Sequence, residues 1–247
     1  MKQMFLSTGK EFKEIETFEP GAWIHLVNPS QEEALKVAER FNIDIQDLRA
    51  PLDVEETSRI DVEDDYTLIL VDIPTQEERN NKSYYVTIPL GIIVTDEVVV
   101  TTCLENISLM DDFLNHRVRN FYTFMKTRFV FQILYRNAQL YLTALRSIDR
   151  QNDKLEAQLE NSTKNEHLID MMELEKSIVY LKASLKMNER IVKKLTGNAS
   201  SLKKYIEDED LLEDTLVETQ QAIEMAGIYE NVLNAMTETS ASIINNN

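Results

Sequence analysis

From Asn106 to Asn247 the chain contains no proline and only two glycines, Gly197 and Gly227. A stretch of that length without breakers leaves few options besides long helices, and the apolar residues recur at helical spacing throughout it. Three helices are predicted. The first runs from near Ser108 through Phe131, Leu134, Ala138, Leu142, Leu145 and Ile148 to about Glu160. The second opens at a capping box, Thr163-Lys164-Asn165-Glu166, and passes Leu174, Ile178, Leu181, Leu185 and Ile191 before stopping at Gly197. A third begins near Asp210 and is still helical at Asn247. At 1.5 Å per residue each is on the order of 50 Å long, more than a compact domain requires.

Charge is distributed unevenly over these helices. Between Lys176 and Lys204 there are eight bases (Lys176, Lys182, Lys186, Arg190, Lys193, Lys194, Lys203, Lys204) against the single acid Glu189. After Tyr205 there are ten acids and no base. The second and third helices should therefore attract each other as an antiparallel pair, with solvated charged faces. A sharper reading is that some carboxylates bind hard divalent cations, which prefer grouped oxygen ligands. Asp208, Asp210, Glu213 and Asp214 are the clustered candidates. Along the same helix Leu212, Leu216, Thr219, Ile223, Ala226, Leu233, Met236, Ser240 and Ile243 follow the three-and-four spacing of a packing seam. Self-association would explain that seam, and so would packing on the first two helices.

The first 106 residues have a different character. Trp23 to Val27 is a short apolar run ended by Asn28-Pro29, and Ser30-Gln31-Glu32-Glu33 is a capping box opening an amphipathic helix through Ala34, Val37, Ala38 and Phe41. A short polar helix is expected from Asp44 to Ala50, before Pro51. Tyr66 to Ile73 reads as a strand ending at Pro74, and Tyr84 to Val94 and Val98 to Cys103 as two more, joined by a tight turn at Thr95-Asp96-Glu97. The expected fold class is an α/β N-terminal domain (residues 1–106), a small mixed sheet with flanking helices. Long antiparallel helices follow (107–206), then a C-terminal stalk helix (207–247).

Composition removes several function classes. With 26 Lys plus Arg against 43 Asp plus Glu the net charge is −17, which disfavours nucleic acid or anionic lipid as a partner and favours cations or basic surfaces. The five dispersed glycines build no G-x-G-x-x-G, Walker A or G-x-S-x-G loop. Cys103 is alone, and His25, His116 and His167 lack the spacing of a zinc site. No apolar run reaches the 18 residues that would suggest a membrane span. The cluster Asp61, Glu63, Asp64 and Asp65 suggests a metal-dependent hydrolase only weakly, because no nucleophile or His stands at workable spacing. The closing Ala241 to Asn247 stops a helix in mid-pattern, without a Gly cap, a Pro or a basic last turn, and reads as a cut stalk.

Taken in order, Trp23 to Ser30 with Glu32 and Glu33, Phe41-Asn42-Ile43, Leu52 to Ile60, Tyr66 to Val71 and the closing Ala241 to Asn247 resemble the cytoplasmic domain of the CorA family of magnesium channels. The resemblance covers essentially the whole chain. It implies no enzyme, but a homopentamer on the cytoplasmic side of the cell membrane, its stalk helices lining a central axis. It further implies that divalent ions (Mg2+, with Co2+, Ni2+ or Zn2+ open) bind between subunits and hold the channel closed, so that falling cytosolic magnesium opens it. The Gly-Met-Asn motif and both membrane helices would lie beyond Asn247. The family's stalk acid falls on Glu213, with Asp214 adjacent and Asp210 a turn away. Its partner position falls on Arg49-Ala50, neither of which can ligate a cation, so Asp47 and Asp53 are the nearest carboxylates that could substitute. A competing reading is a soluble acidic helical protein that binds a basic partner.

Overall fold

The computed structural model describes residues 1–247 apart from 10, 80, 160–164, 198–201, 203–205 and 247, and the side chains of 159, 206, 207 and 244–246. The capping box expected at Thr163 and Lys164, the bases Lys203 and Lys204, and Tyr205 therefore lie outside the described residues.

Seven strands form one mixed sheet: β1 (Lys2–Thr8), β2 (Glu11–Glu14), β3 (Trp23–Val27), β4 (Arg59–Val62), β5 (Tyr66–Arg79), β6 (Lys82–Thr95) and β7 (Val99–Cys103). Their order is β2-β1-β3-β7-β6-β5-β4, with β3 and β7 parallel and every other pair antiparallel. The expected turn closes β6 onto β7, where Thr95 Oγ1 accepts from the N–H groups of Glu97 and Val98 at 3.1 and 2.9 Å.

Both faces of the sheet are covered, which is why its central strands read as apolar runs. On one face Ile24, Leu26, Leu68, Leu70, Ile93 and Val100 meet Ala34, Val37, Ala38 and Phe41 of α1 (Gln31–Phe41) and Leu48 of α2 (Ile45–Arg49). The α1 capping box forms as the sequence predicts. On the other face Trp23, Ile69, Val71, Leu90, Ile92 and Val99 meet α3 (Ser108–Leu114) and α4 (Lys126–Leu159). Trp23 is fully buried among Phe5, Phe113, Phe121 and Phe129, with ring centroids 5.1–6.4 Å away.

Three details depart from the sequence reading. The first long helix is two, because the chain takes left-handed turns at His116 and Asn120 (φ 55° at each). The intervening loop is pinned where Ser7 and Thr123 exchange hydrogen bonds, each backbone N–H to the other's hydroxyl, at 2.9 and 3.0 Å. The strand expected to end at Pro74 continues to Arg79. Asp72 N–H points away from β6 to α5 (Asn165–Thr196), so Pro74, two residues on, faces the same outer edge and removes no ladder bond. Finally, β1, β2 and β4 were not foreseen. Lys2–Thr8 and Arg59–Val62 carry too little alternation, and β2 is mostly exposed.

The long hairpin β5–β6 extends under α4 and α5, which with α6 (Ile206–Asn246) form a three-helix arm. The arm core is Tyr141, Leu142, Leu145 and Ile148 of α4, Leu174, Ile178, Leu181 and Leu185 of α5, and Ala222, Ala226 and Leu233 of α6. Hairpin and arm are also joined by Lys82 Nζ to Asp170 Oδ1 (2.7 Å) and Arg79 Nη1 to Glu173 Oε2 (3.6 Å). Half-exposed pairs of this kind contribute about 0–1 kcal/mol each, so apolar packing and buried hydrogen bonds hold the arm.

Two consequences can be measured. A Cβ at Gly91 would stand 2.2 Å from Pro51 Cγ. Gly91→Ala should therefore lower stability by about 2 kcal/mol, read as a lower urea midpoint. His25 is buried against Thr101 Oγ1 (2.8 Å), which accepts from Trp23 Nε1 and keeps its own proton for a neutral ring. Burial lowers the His25 pKa to about 4. The unfolded chain then binds this proton first, so the contribution is full above pH 6.5 and is lost as pH falls towards 4, about 3 kcal/mol in all. His25→Asn should remove that part of the acid sensitivity in equilibrium unfolding between pH 7 and 4.

Candidate cation site

The candidate carboxylates fall in two places. Asp210, Glu213 and Asp214 lie on one exposed face of α6, three and four residues apart, with no ion pair among the described residues. Asp208 leaves the cluster: its side chain is 3% exposed and accepts from Arg128 Nε of α4 at 3.1 Å. That contact anchors the first turn of α6 and takes Asp208 out of any cation site on the outer face.

The other two candidates are near the N-terminal helices. Asp47, half-buried on α2, accepts from Tyr66 Oη at 2.6 Å, and its other oxygen is 4.0 Å from Arg59 Nη2. Burial, then this hydrogen bond to Asp47, raises the Tyr66 phenol pKa, so Tyr66 stays a donor. Asp53 is exposed just after the 3-10 turn Ala50–Leu52, and its Oδ1 accepts from Glu55 N–H at 3.0 Å. This is the local turn bond common for an aspartate in such a place, and it leaves Oδ2 open. Arg49 is exposed and Ala50 half-buried.

Asp47 also lines a cleft of about 510 Å³ together with Asn42, Asp44, Glu63, Asp64, Asp65 and Tyr66. Sequence reasoning had grouped Glu63, Asp64 and Asp65 with Asp61, but Asp61 turns away to Arg59 Nε at 2.5 Å, and Asn42 holds Asp65 by a hydrogen bond. Asn42 is the left-handed C-cap of α1 and Asp44 the N-cap of α2, so this side of the cleft is the α1–α2 connection and the other is the turn before β5. Among the described residues no group of three or more His, Cys, Asp or Glu side chains converges to hold a metal. Within one chain the α6 acids and the α2 side are separate half-sites at most.

The expected attraction between α5 and α6 takes a narrower form. Lys182 Nζ meets Glu230 Oε2 at 2.6 Å, and Gln220 Nε2 donates to Glu189 Oε1 at 3.1 Å. Lys193 pairs instead with Glu189 on its own helix, at 2.8 Å. Of the apolar seam, Leu212, Thr219, Ala226, Leu233 and Ser240, seven residues apart, are buried on the side of α6 that packs on α4 and α5, while Leu216, Ile223 and Met236 are half-buried and Ile243 is exposed. A second stripe on the opposite side went unnoticed in the sequence because it is mixed in polarity. Asp210, Asp214, Val217, Gln221, Glu224, Ile228, Asn231, Ala235, Glu238 and Ser242 alternate four and three apart, and all ten are exposed.

A mixed sheet carrying a long helical arm is the fold of solved CorA soluble domains. The soluble domain of CorA from Methanocaldococcus jannaschii superposes with a TM-score of 0.86 at 22% identity, over 98% of this chain and 97% of that one. The complete CorA magnesium transporter from the same organism gives 0.85 at 21% identity, over 99% and 78%. In sequence, the Cobalt/magnesium transport protein CorA of M. jannaschii is 26% identical over 237 residues, 90% of this chain and 70% of that protein. The family described as CorA-like Mg2+ transporter protein matches residues 19–247, and the chain belongs to it. No described helix is long and apolar enough to cross a membrane.

Replacing Asp208 by Asn removes a buried carboxylate that accepts from Arg128. A loss of about 2 kcal/mol is expected, together with faster hydrogen exchange in the first turns of α6 than in the unsubstituted protein. Unchanged protection there would show that the pair does not anchor the helix.

Proposed function

We propose that this chain is the cytoplasmic, cation-sensing part of a CorA-type Mg2+ channel, gating transport through its stalk helix α6. Three units carry the work: residues 1–106 as the α/β domain, 107–206 as the long helical hairpin packing on it and 207–247 as the stalk. The chain assembles as a homopentamer. Divalent ions then bind between subunits, using Glu213, Asp214 and Asp210 of one copy and Asp53 or Asp47 of the next. Of these two, Asp53 is the better ligand, since it is exposed with one oxygen open, whereas Asp47 is half-buried, accepts from Tyr66 at one oxygen and has Arg59 4.0 Å from the other.

The observation that carries this reading is the outer stripe of α6. An unbroken four-three alternation of exposed residues suits packing on other helices, and its lower end presents Asp210 and Asp214. Brought together about 6 Å apart, two carboxylates repel by about 0.7 kcal/mol even in water, and a ring of them repels several times over. A divalent cation removes that repulsion. It shifts the population toward the closed ring only by binding it more tightly than the open arrangement.

Millimolar Mg2+ at constant ionic strength should raise the melting temperature or drive association in sedimentation. At ten times the Kd the rise should be about 3–6 °C. Glu213→Gln combined with Asp214→Asn should abolish most of it. No response in either readout would contradict the sensor reading, and capture of a basic peptide without any Mg2+ effect would favour the competing one.

A further inference from the structure

Asp72 sits where β5 runs past the end of β4 and meets α4 and α5. Its backbone is treated as if another strand were present. Asn188 of α5 donates Nδ2–H to the Asp72 carbonyl (2.9 Å) and accepts the Asp72 N–H at Oδ1 (3.1 Å). The same carbonyl accepts from Asn137 Nδ2 of α4 at 2.8 Å.

The side chain closes a second circuit. Asp72 Oδ2 is 2.7 Å from Ser184 Oγ, Ser184 Oγ is 2.7 Å from Tyr141 Oη, and Tyr141 Oη is 3.1 Å from the Asp72 carbonyl oxygen. These are three oxygen-to-oxygen contacts, and each needs a proton. With the carboxyl ionised only two are available, from Ser184 and Tyr141, so one contact is left as facing lone pairs. With the carboxyl protonated the count closes. Asp72 donates to Ser184, Ser184 to Tyr141, and Tyr141 to the Asp72 carbonyl.

We propose that the Asp72 carboxyl is a proton-operated latch joining the sheet to the helical arm, closed when it carries its proton and loosened when it ionises. This does not depend on the cation-sensing reading. Among the described residues no cation pairs with the carboxyl: α4 presents Tyr141 and Asn137, α5 presents Ser184 and Asn188, and Pro89 is the partner on β6. Ser58, ahead of β4, lies against the carboxyl without a well-aligned hydrogen bond. Tyr141 is the one titratable group among them. Burial pushes the Asp72 carboxyl pKa up, against the smaller opposing effect of the hydroxyls, and pushes the Tyr141 phenol up as well, so Tyr141 keeps its proton.

A carboxyl whose pKa is raised by folding makes stability fall as pH rises, from the ordinary carboxylate range through the folded value. Asp72→Asn places an amide donor where the protonated carboxyl would have one and holds the latch closed at every pH. In thermal unfolding of the chain, wild type should fall behind Asp72→Asn as pH rises from 5 to 8, with the gap widening by about 3 °C or more. His25 and the other titrating groups act equally on both proteins and cancel in the difference. A pH-independent gap, or an Asp72→Asn protein that fails to fold, would overturn the proposal. Carboxyl-carbon NMR supplies the direct readout on wild type, with the Asp72 signal assigned by its absence from the variant. It should titrate above the ordinary carboxylate range; titration within that range would also overturn the latch.

Discussion

The junction around Asp72 is the contact on which the rest of the geometry depends. One strand residue satisfies its backbone through Asn137, Tyr141 and Asn188, so α4 and α5 are fixed to the sheet at a single height and rotation. An unmade hydrogen bond there would cost about 1–3 kcal/mol, more than any of the half-exposed ion pairs further along the hairpin contributes. Those pairs, Lys82 with Asp170 and Arg79 with Glu173, follow the orientation set at the junction.

Once α4 and α5 are placed, α6 has one groove to occupy. Its residues at sevenfold spacing from Leu212 to Ser240 fill that groove, the small side chains Ala222 and Ala226 allow close approach, and Arg128 ties the lower end through Asp208. The opposite stripe is thereby presented outward. A helix of 41 residues, about 60 Å long, thus carries an exposed stripe along its length from the anchored base of the arm.

What the sequence made legible was whatever rests on local pattern. The doubly covered strands β3, β5, β6 and β7 announced themselves as apolar runs, and the α1 capping box and the breaker-free helices were equally plain. What escaped rests on contacts between distant residues. Asp208 looked like one more acid of a cluster because Arg128, 80 positions away, decides its role. Asp72 passed as one more residue of the Tyr66 to Ile73 strand because Ser184 lies 112 positions on. The α6 seam was visible, but whether it packs within the chain or between chains depends on where α4 and α5 stand. Asp47 and Asp53 were legible only as the carboxylates nearest Arg49 and Ala50, and their bonds to Tyr66 and to the Glu55 N–H were not part of that reading.

Under the proposed function the two stripes of α6 have different uses, the inner one within the chain and the outer one between copies. Cysteine cross-linking tests it most directly, because the native Cys103 is buried and burial pushes its thiol up to about 12, which keeps it out of the reaction. Val217→Cys, on the outer stripe, should give disulfide-linked dimers under mild oxidation in Mg2+, while Ala226→Cys, on the inner one, should not. Equal cross-linking at both positions, or none at Val217 under conditions in which the chain associates, would contradict the assignment.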